Sequence, residues 1–195
     1  TRGRLDGITP GMQEMTILKR EINWNGHNLS YQADPKHVQI MAKEFGLDDL
    51  SKGLEVPITR DVDNEEDAED ELQGEEATQY RALAARANYL SQDRVDIQFA
   101  AKEACRGMSK PKMKDYRKLK RLARYLIQHP RLIYEFKSKP RDDDDHVQFD
   151  VCTGSDWAGC KESRKSTSGG VVMFEGSVVK TWSSAQASVA SSSDE

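Results

Sequence analysis

The chain has 195 residues, a formal net charge of −4, 36% hydrophobic residues and 32% charged ones. That length allows one large domain or two small ones. No apolar run approaches the roughly 18 residues of a membrane span, and the opening stretch TRGRLDGITPG has no apolar centre of a secretory signal.

An intracellular protein, cytoplasmic or nuclear and not secreted, is therefore expected. The first residue is Thr1 rather than Met, so a piece cut from something longer is expected as well. Cys105, Cys152 and Cys160 are odd in number and lack zinc-ligand spacing, which favours reduced thiols over a metal centre. Neither a Gly-x-x-x-x-Gly-Lys-Ser/Thr phosphate loop nor a Gly-x-Ser-x-Gly elbow occurs.

In chain order, EMTILKREINWNGHNLSYQAD alternates imperfectly about Asn25-Gly26, a hairpin signal that predicts strands over 14–24 and 28–33. DPKHVQIMAKEFGL then predicts a helix. Asp34 is its N-cap, Pro35 its first position, Gly46 its stop, and Val38, Met41, Ala42 and Phe45 its apolar stripe. From Asp61 to Glu76 the chain carries ten acids and no Lys or Arg, a composition that predicts a disordered linker.

Three amphipathic helices should follow. Their apolar faces are Tyr80, Leu83, Ala84, Ala87 and Leu90; then Ile97, Ala100, Ala101, Ala104 and Met108; then Met113, Tyr116, Leu119, Leu122, Ala123, Leu126 and Ile127. The third helix, over 111–129, carries Lys114, Arg117, Lys118, Lys120, Arg121 and Arg124 on its other face. That pattern suits a nucleic-acid phosphate backbone, or simply a solvated helix face. Helices this close should pack as a small bundle.

RLIYEF reads as a short strand, HVQFDVCTGSDW as a longer one, and GGVVMFEGSVVKTWSS as a hairpin turning at Glu175-Gly176-Ser177. SSSDE, with Ser192 three residues before Glu195, resembles the first turn of a capped helix. The expected fold is α+β. A small N-terminal hairpin-plus-helix unit is followed by a three-helix basic middle segment and a C-terminal three-stranded antiparallel sheet.

Strand, hairpin and helix in that order open a ribonuclease-H-type fold. Its chemistry places about four carboxylates around two divalent metals. Asp150, Asp156, Asp194 and Glu195 are the acids near suitable positions, and each also reads as a solvated strand, turn or helix-start residue.

The stretch SDWAGCKESRKSTSGGVVMFEGSVVKTWSSAQASVASSS resembles the start of the RNase H domain of copia-type retrotransposon Pol polyproteins. Upstream, YRALAARANYLSQDRVDIQFAAKEACRGMSKP and RLARYL are similar to that family's connection segment. INWNGHNLSYQADPKHVQIMAKEFGL is similar to the segment that follows the polymerase palm. The resemblance covers most of the chain except the acidic stretch.

It implies four parts: a reverse-transcriptase post-palm segment over 1–60, an acidic linker over 61–76, a helical connection over 77–138, and a truncated RNase-H-like domain over 139–195. The parent would copy RNA into DNA and cleave RNA in RNA–DNA hybrids with Mg²⁺ or Mn²⁺. Its partners would be nucleic acid and the remainder of the polyprotein, with no membrane. Lys114, Arg117, Lys118, Lys120, Arg121, Arg124, Arg164 and Lys165 are the candidate nucleic-acid contacts. Asp156 and Glu195 are the candidate catalytic residues, with Asp156 also the candidate metal ligand.

This chain departs from the family where it matters. The first-strand carboxylate position is Gly154, and Asp156 matches the second Asp of the family's Asp-Ser-Asp-Trp. The palm carboxylates and the second helix Glu fall outside the sequence. The expectation is a fragment that binds no metal and is catalytically inactive. The alternatives are a non-enzymatic nucleic-acid-binding module built on helix 111–129, and a non-functional translated pseudogene fragment.

Overall fold

Helical spacing of apolar side chains decides the middle of the chain. A computed structural model describes residues 13–48, 50–59, 66–138, 146–160 and 163–191. Contacts divide the chain into a helical unit, Ala33–Leu132, and a sheet unit made of residues up to 32 together with those from 133 onward. The helical unit is thus inserted in sequence between two strands of the sheet unit.

The helical unit contains α1 (Lys36–Glu44), α2 (Gly74–Leu90), a 3₁₀ turn over Val95–Ile97, α3 (Gln98–Arg106) and α4 (Met113–Gln128). Val38, Met41 and Phe45 of α1 join Tyr80, Leu83, Leu90, Ile97, Leu119, Leu122 and Leu126 in one buried cluster. Burying each of these leucines contributes about 2 kcal/mol by area removed from water. Alanines at 84, 87, 100, 101 and 104 are equally buried. Their small side chains let α2 and α3 approach closely. Gly46 stops α1 with φ of 63°. The Leu47 N–H bonds the Ala42 carbonyl and the Gly46 N–H the Lys43 carbonyl, the Schellman arrangement that fills a helix's last carbonyls.

Two polar contacts fix how the helices meet. The fully buried Tyr80 donates its hydroxyl to the Ala104 carbonyl at 2.5 Å, tying α2 to the end of α3. Arg94, 1% exposed, is bidentate to Asp96 at 2.9 and 2.6 Å and donates to the His129 carbonyl at 2.8 Å. It thereby satisfies a carbonyl at the C-terminal end of α4, which has no helical N–H left to accept from. The Tyr125 hydroxyl donates to the same Asp96 carboxylate at 2.9 Å. Burial and that bond push the Tyr125 phenol up to about 12.

The sheet unit holds two antiparallel sheets. The first is ordered β1 (Gln13–Ile17), β2 (Arg20–Trp24), β3 (Asn28–Gln32), β4 (Ile133–Lys137). β3 pairs β4 with Leu29 opposite Phe136 and Tyr31 opposite Tyr134, the two tyrosine rings 5.9 Å apart. The second is ordered β5 (Phe149–Ser155), β6 (Thr167–Phe174), β7 (Ser177–Ala185). Glu175 and Gly176 make its hairpin turn, with φ of 51° and 75°. Phe149 and Val151 on β5 remain more than half exposed.

The α+β class stands, with four α-helices and two antiparallel sheets among the described residues. Three expectations change. The strand expected over 14–24 is two strands, because Leu18 and Lys19 both adopt left-handed φ, 49° and 64°, and reverse the chain. Helix α1 packs with the other helices rather than forming a unit with the hairpin, because its buried stripe is continuous with their core. The acidic stretch is not a featureless linker over its described part, 66–76. Ala68 and Leu72 are buried there, and Glu71 bridges Lys112. Residues 61–65, the acidic run 141–145, and the SSDE turn at 192–195 lie outside the described residues.

Arg94→Met removes one partner of a shielded ion pair, leaving Asp96 with the Tyr125 hydroxyl as a donor and the His129 carbonyl without the Arg94 donor. The expected loss is about 3–5 kcal/mol, measured by urea unfolding. A variant that unfolds at the wild-type urea concentration would remove this network from the determinants of the helical unit.

Candidate functional site

Two groups of candidate residues have defined surroundings, one in each unit, and each is described by itself.

In the sheet unit, β5 ends at Ser155 and the chain loops through Asp156–Ser166 to β6. Asp156 closes that loop. Its backbone N–H donates to the Thr167 carbonyl at 3.0 Å, and its carboxylate accepts the Thr167 N–H at 2.5 Å. The carboxylate also packs on Gly159: a Cβ there would sit 1.9 Å from Asp156 Oδ2. Ser166, 2% exposed, accepts the Ala158 N–H on its hydroxyl at 3.0 Å. Its carbonyl accepts the Gln186 N–H at 2.8 Å. Gln186 also donates its side-chain amide to the Ser168 hydroxyl at 2.9 Å. Arg164 and Lys165 lie in this loop, where Cys160 accepts the Arg164 N–H at 2.8 Å and donates to the Lys165 carbonyl at 3.2 Å.

Gly154 lies two residues before Asp156, opposite Gly169. A Cβ at Gly154 would meet nothing within 4 Å, so the strand accommodates a side chain there and this chain supplies none. Asp150 lies two positions further back on the alternating face. Its carboxylate accepts the Gln148 side-chain amide at 3.0 and 3.1 Å. Among the described residues, no group of three or more His, Cys, Asp or Glu side chains converges as metal ligands. A two-metal centre needs several carboxylates turned towards one point. Here Asp156 is engaged in the loop and Gly154 has no donor, so these residues do not fit the group. Glu195 lies outside the described residues.

In the helical unit, all six basic candidates fall on α4. At 100° per residue they span roughly 160° of the helix surface, opposite Leu119, Leu122 and Ala123. Lys120 is exposed and the other five are half-buried. The acidic stretch pairs with two of these five, Lys114 and Arg117, and with Lys110 and Lys112 just before the helix. Asp67 holds Arg117 at 2.6 Å. Glu69 holds Lys112 at 2.7 Å and also pairs with Lys114. Glu71 holds Lys110 at 2.5 Å. Further along, Arg124 donates its Nε to the Lys52 carbonyl at 2.8 Å.

The two lysines hold the Glu69 carboxyl well below its usual 4.5, at about 2. A depressed carboxylate value means the pairing contributes fully above the ordinary value and is lost as pH falls towards 2. At neutral pH it is fully ionised. Glu69 is solvent-exposed and its two lysines are half-buried, so the strength of the contact lies in its number of partners rather than in any single pair.

Sequence reading missed the acidic–basic contact, although the two oppositely charged blocks were both visible. It also missed Ser166 and Gln186 as loop-closing residues. Their only signal is membership of the STS and SSAQ stretches.

No family model matches the chain, and no solved structure matches it. It is similar to the uncharacterized mitochondrial protein AtMg00810 of Arabidopsis thaliana, with 33% identity over 107 residues. The aligned stretch covers 53% of this chain and 41% of that protein, so the chain spans less than half the length of this relative.

Proposed function

We propose that the chain derives from a copia-type retrotransposon Pol polyprotein, from the C-terminal part of reverse transcriptase into RNase H. In this reading it engages nucleic acid without cleaving it. The observation that carries the reading is the combination of a glycine at 154 with an engaged carboxylate at Asp156. The motif around them matches the family, yet the ligand position is a glycine and the neighbouring carboxylate is used to close a loop. The antiparallel order of β5–β7 and the similarity to the mitochondrial protein support the derivation. The parent activities, copying RNA into DNA and cleaving RNA in hybrids with Mg²⁺ or Mn²⁺, belong to that derivation. Its partners are nucleic acid and the remainder of the polyprotein.

The binding half of the reading rests on α4. A helix face carrying six cations attracts phosphate backbones by counterion release, independently of sequence. Lys120 is its exposed member.

The purified chain is expected to leave the RNA of an RNA–DNA hybrid intact in Mg²⁺ or Mn²⁺. Cleavage that Asp156→Asn abolishes would overturn the inactive reading. Mg²⁺ should also leave the thermal midpoint unchanged, because a ligand raises stability only where the folded state binds it. Asp156→Ala should lower stability by about 1–2 kcal/mol with or without the metal, since the buried Thr167 N–H loses its acceptor. A metal-dependent loss would instead identify Asp156 as a ligand.

Replacing Lys118, Lys120 and Arg121 by Glu should weaken hybrid binding at low salt by about tenfold or more and flatten its salt dependence. Equal binding by variant and wild type in a salt titration would exclude this face.

A further inference from the structure

The acidic stretch lies on α4 in a way that charge attraction alone does not produce. The first N–H groups of a helix lack helical partners. On α4, the Met113 N–H bonds the Asp70 carbonyl at 2.8 Å and the Lys114 N–H the Ala68 carbonyl at 3.0 Å. The Leu72 N–H returns a bond to the Pro111 carbonyl at 2.9 Å. Ala68 and Leu72 are buried. The segment is therefore held by its backbone and two small apolar anchors, and its acids are presented to the helix as a consequence. Three carboxylates, Asp67, Glu69 and Glu71, hold four cations, Lys110, Lys112, Lys114 and Arg117.

We infer that Asp67–Glu71 is a built-in competitor for nucleic acid on α4. The inference rests on the nucleic-acid reading proposed above and adds a regulatory element to it. Phosphate binding draws its free energy from counterions released off the nucleic acid by unneutralised cations. A cation already paired with a carboxylate contributes only after that pair is broken. The strap thus occupies the N-terminal half of the cationic face and directs a phosphate backbone to the second half, at Lys120, Arg121 and Arg124. Full use of the helix requires the acids to be displaced or neutralised.

The test is a salt titration of binding to a labelled RNA–DNA hybrid by the full chain. One variant combines Asp67→Asn, Glu69→Gln and Glu71→Gln. The control, Glu66→Gln, Glu75→Gln and Glu76→Gln, removes the same formal charge from acids outside these ion pairs. The strap variant should bind about tenfold tighter at about 50 mM salt, and its log K against log salt should steepen by about two, beyond any change in the control. Glu69→Gln alone leaves every backbone anchor in place and removes the carboxylate shared by Lys112 and Lys114. It should tighten binding about threefold, which keeps the test open if the triple variant loses helicity by circular dichroism. Binding of wild type, strap variants and control with one common slope would overturn the strap and leave the cationic face standing. Absence of binding by every protein at low salt, strap variants included, would overturn the face itself and the strap with it.

Discussion

The start of α4 poses a problem that the rest of the helical unit depends on: two N–H groups, on Met113 and Lys114, must find acceptors outside the helix. They find them in the carbonyls of Asp70 and Ala68. This solution does three things at once. It orders a stretch whose composition opposes order, it seats Leu72 in the core beside α1 and α2, and it lays carboxylates against lysines that would otherwise repel one another along the helix. Asp115 completes the cap by accepting the Lys112 N–H at 3.0 Å. Burial raises its carboxyl above the usual value, and the neighbouring lysines oppose that shift.

The opposite end of α4 is fixed by a different means. Arg94 reaches the His129 carbonyl from the loop before α3 while pairing with Asp96. A cation at a helix C-terminus is favourable by charge as well as by hydrogen bonding. Both ends of the longest basic helix are thus held by residues distant in sequence. Its register against α1, α2 and α3 follows from polar contacts as well as from leucine packing. The Arg94–Asp96 pair lies within RVDIQF, one of the stretches that carries the family resemblance, and its role here is architectural.

How much of this was legible depended on sequence distance. The helices were readable because Leu, Ala and Tyr recur at 3.6-residue spacing, and Tyr80, Leu83, Ala84, Ala87 and Leu90 are buried as that spacing requires. Tyr125 is buried with its helix's core although the expected apolar face did not include it. The Leu18-Lys19 reversal carries no Gly, Asn or Asp, the usual residues of left-handed turns, so two strands read as one. The pairing of β3 with β4 joins residues about a hundred positions apart, and no local pattern announces it. The burial of Arg94 had no sequence signal, because burial of a charge depends on partners that only the fold assembles. The candidate site was half legible. Gly154 and Asp156 were identified as the informative positions, but that Asp156 is engaged by Thr167 and Gly159 follows only from the loop's geometry.

That geometry separates the part of the motif that folds the loop from the part that would do chemistry. Asp156, Gly159, Ser166, Thr167 and Gln186 each make a contact whose loss leaves a polar group unpaired or a side chain displaced. Position 154 makes no such contact, since a side chain there projects into open space. A carboxylate at 154 is therefore free to be present or absent without disturbing β5, whereas the surrounding residues are not free to change. A chain of this kind can vary at 154 and keep its sheet. Motif similarity around this loop therefore reports on the loop's hydrogen bonds, and those bonds leave the residue at 154 undetermined.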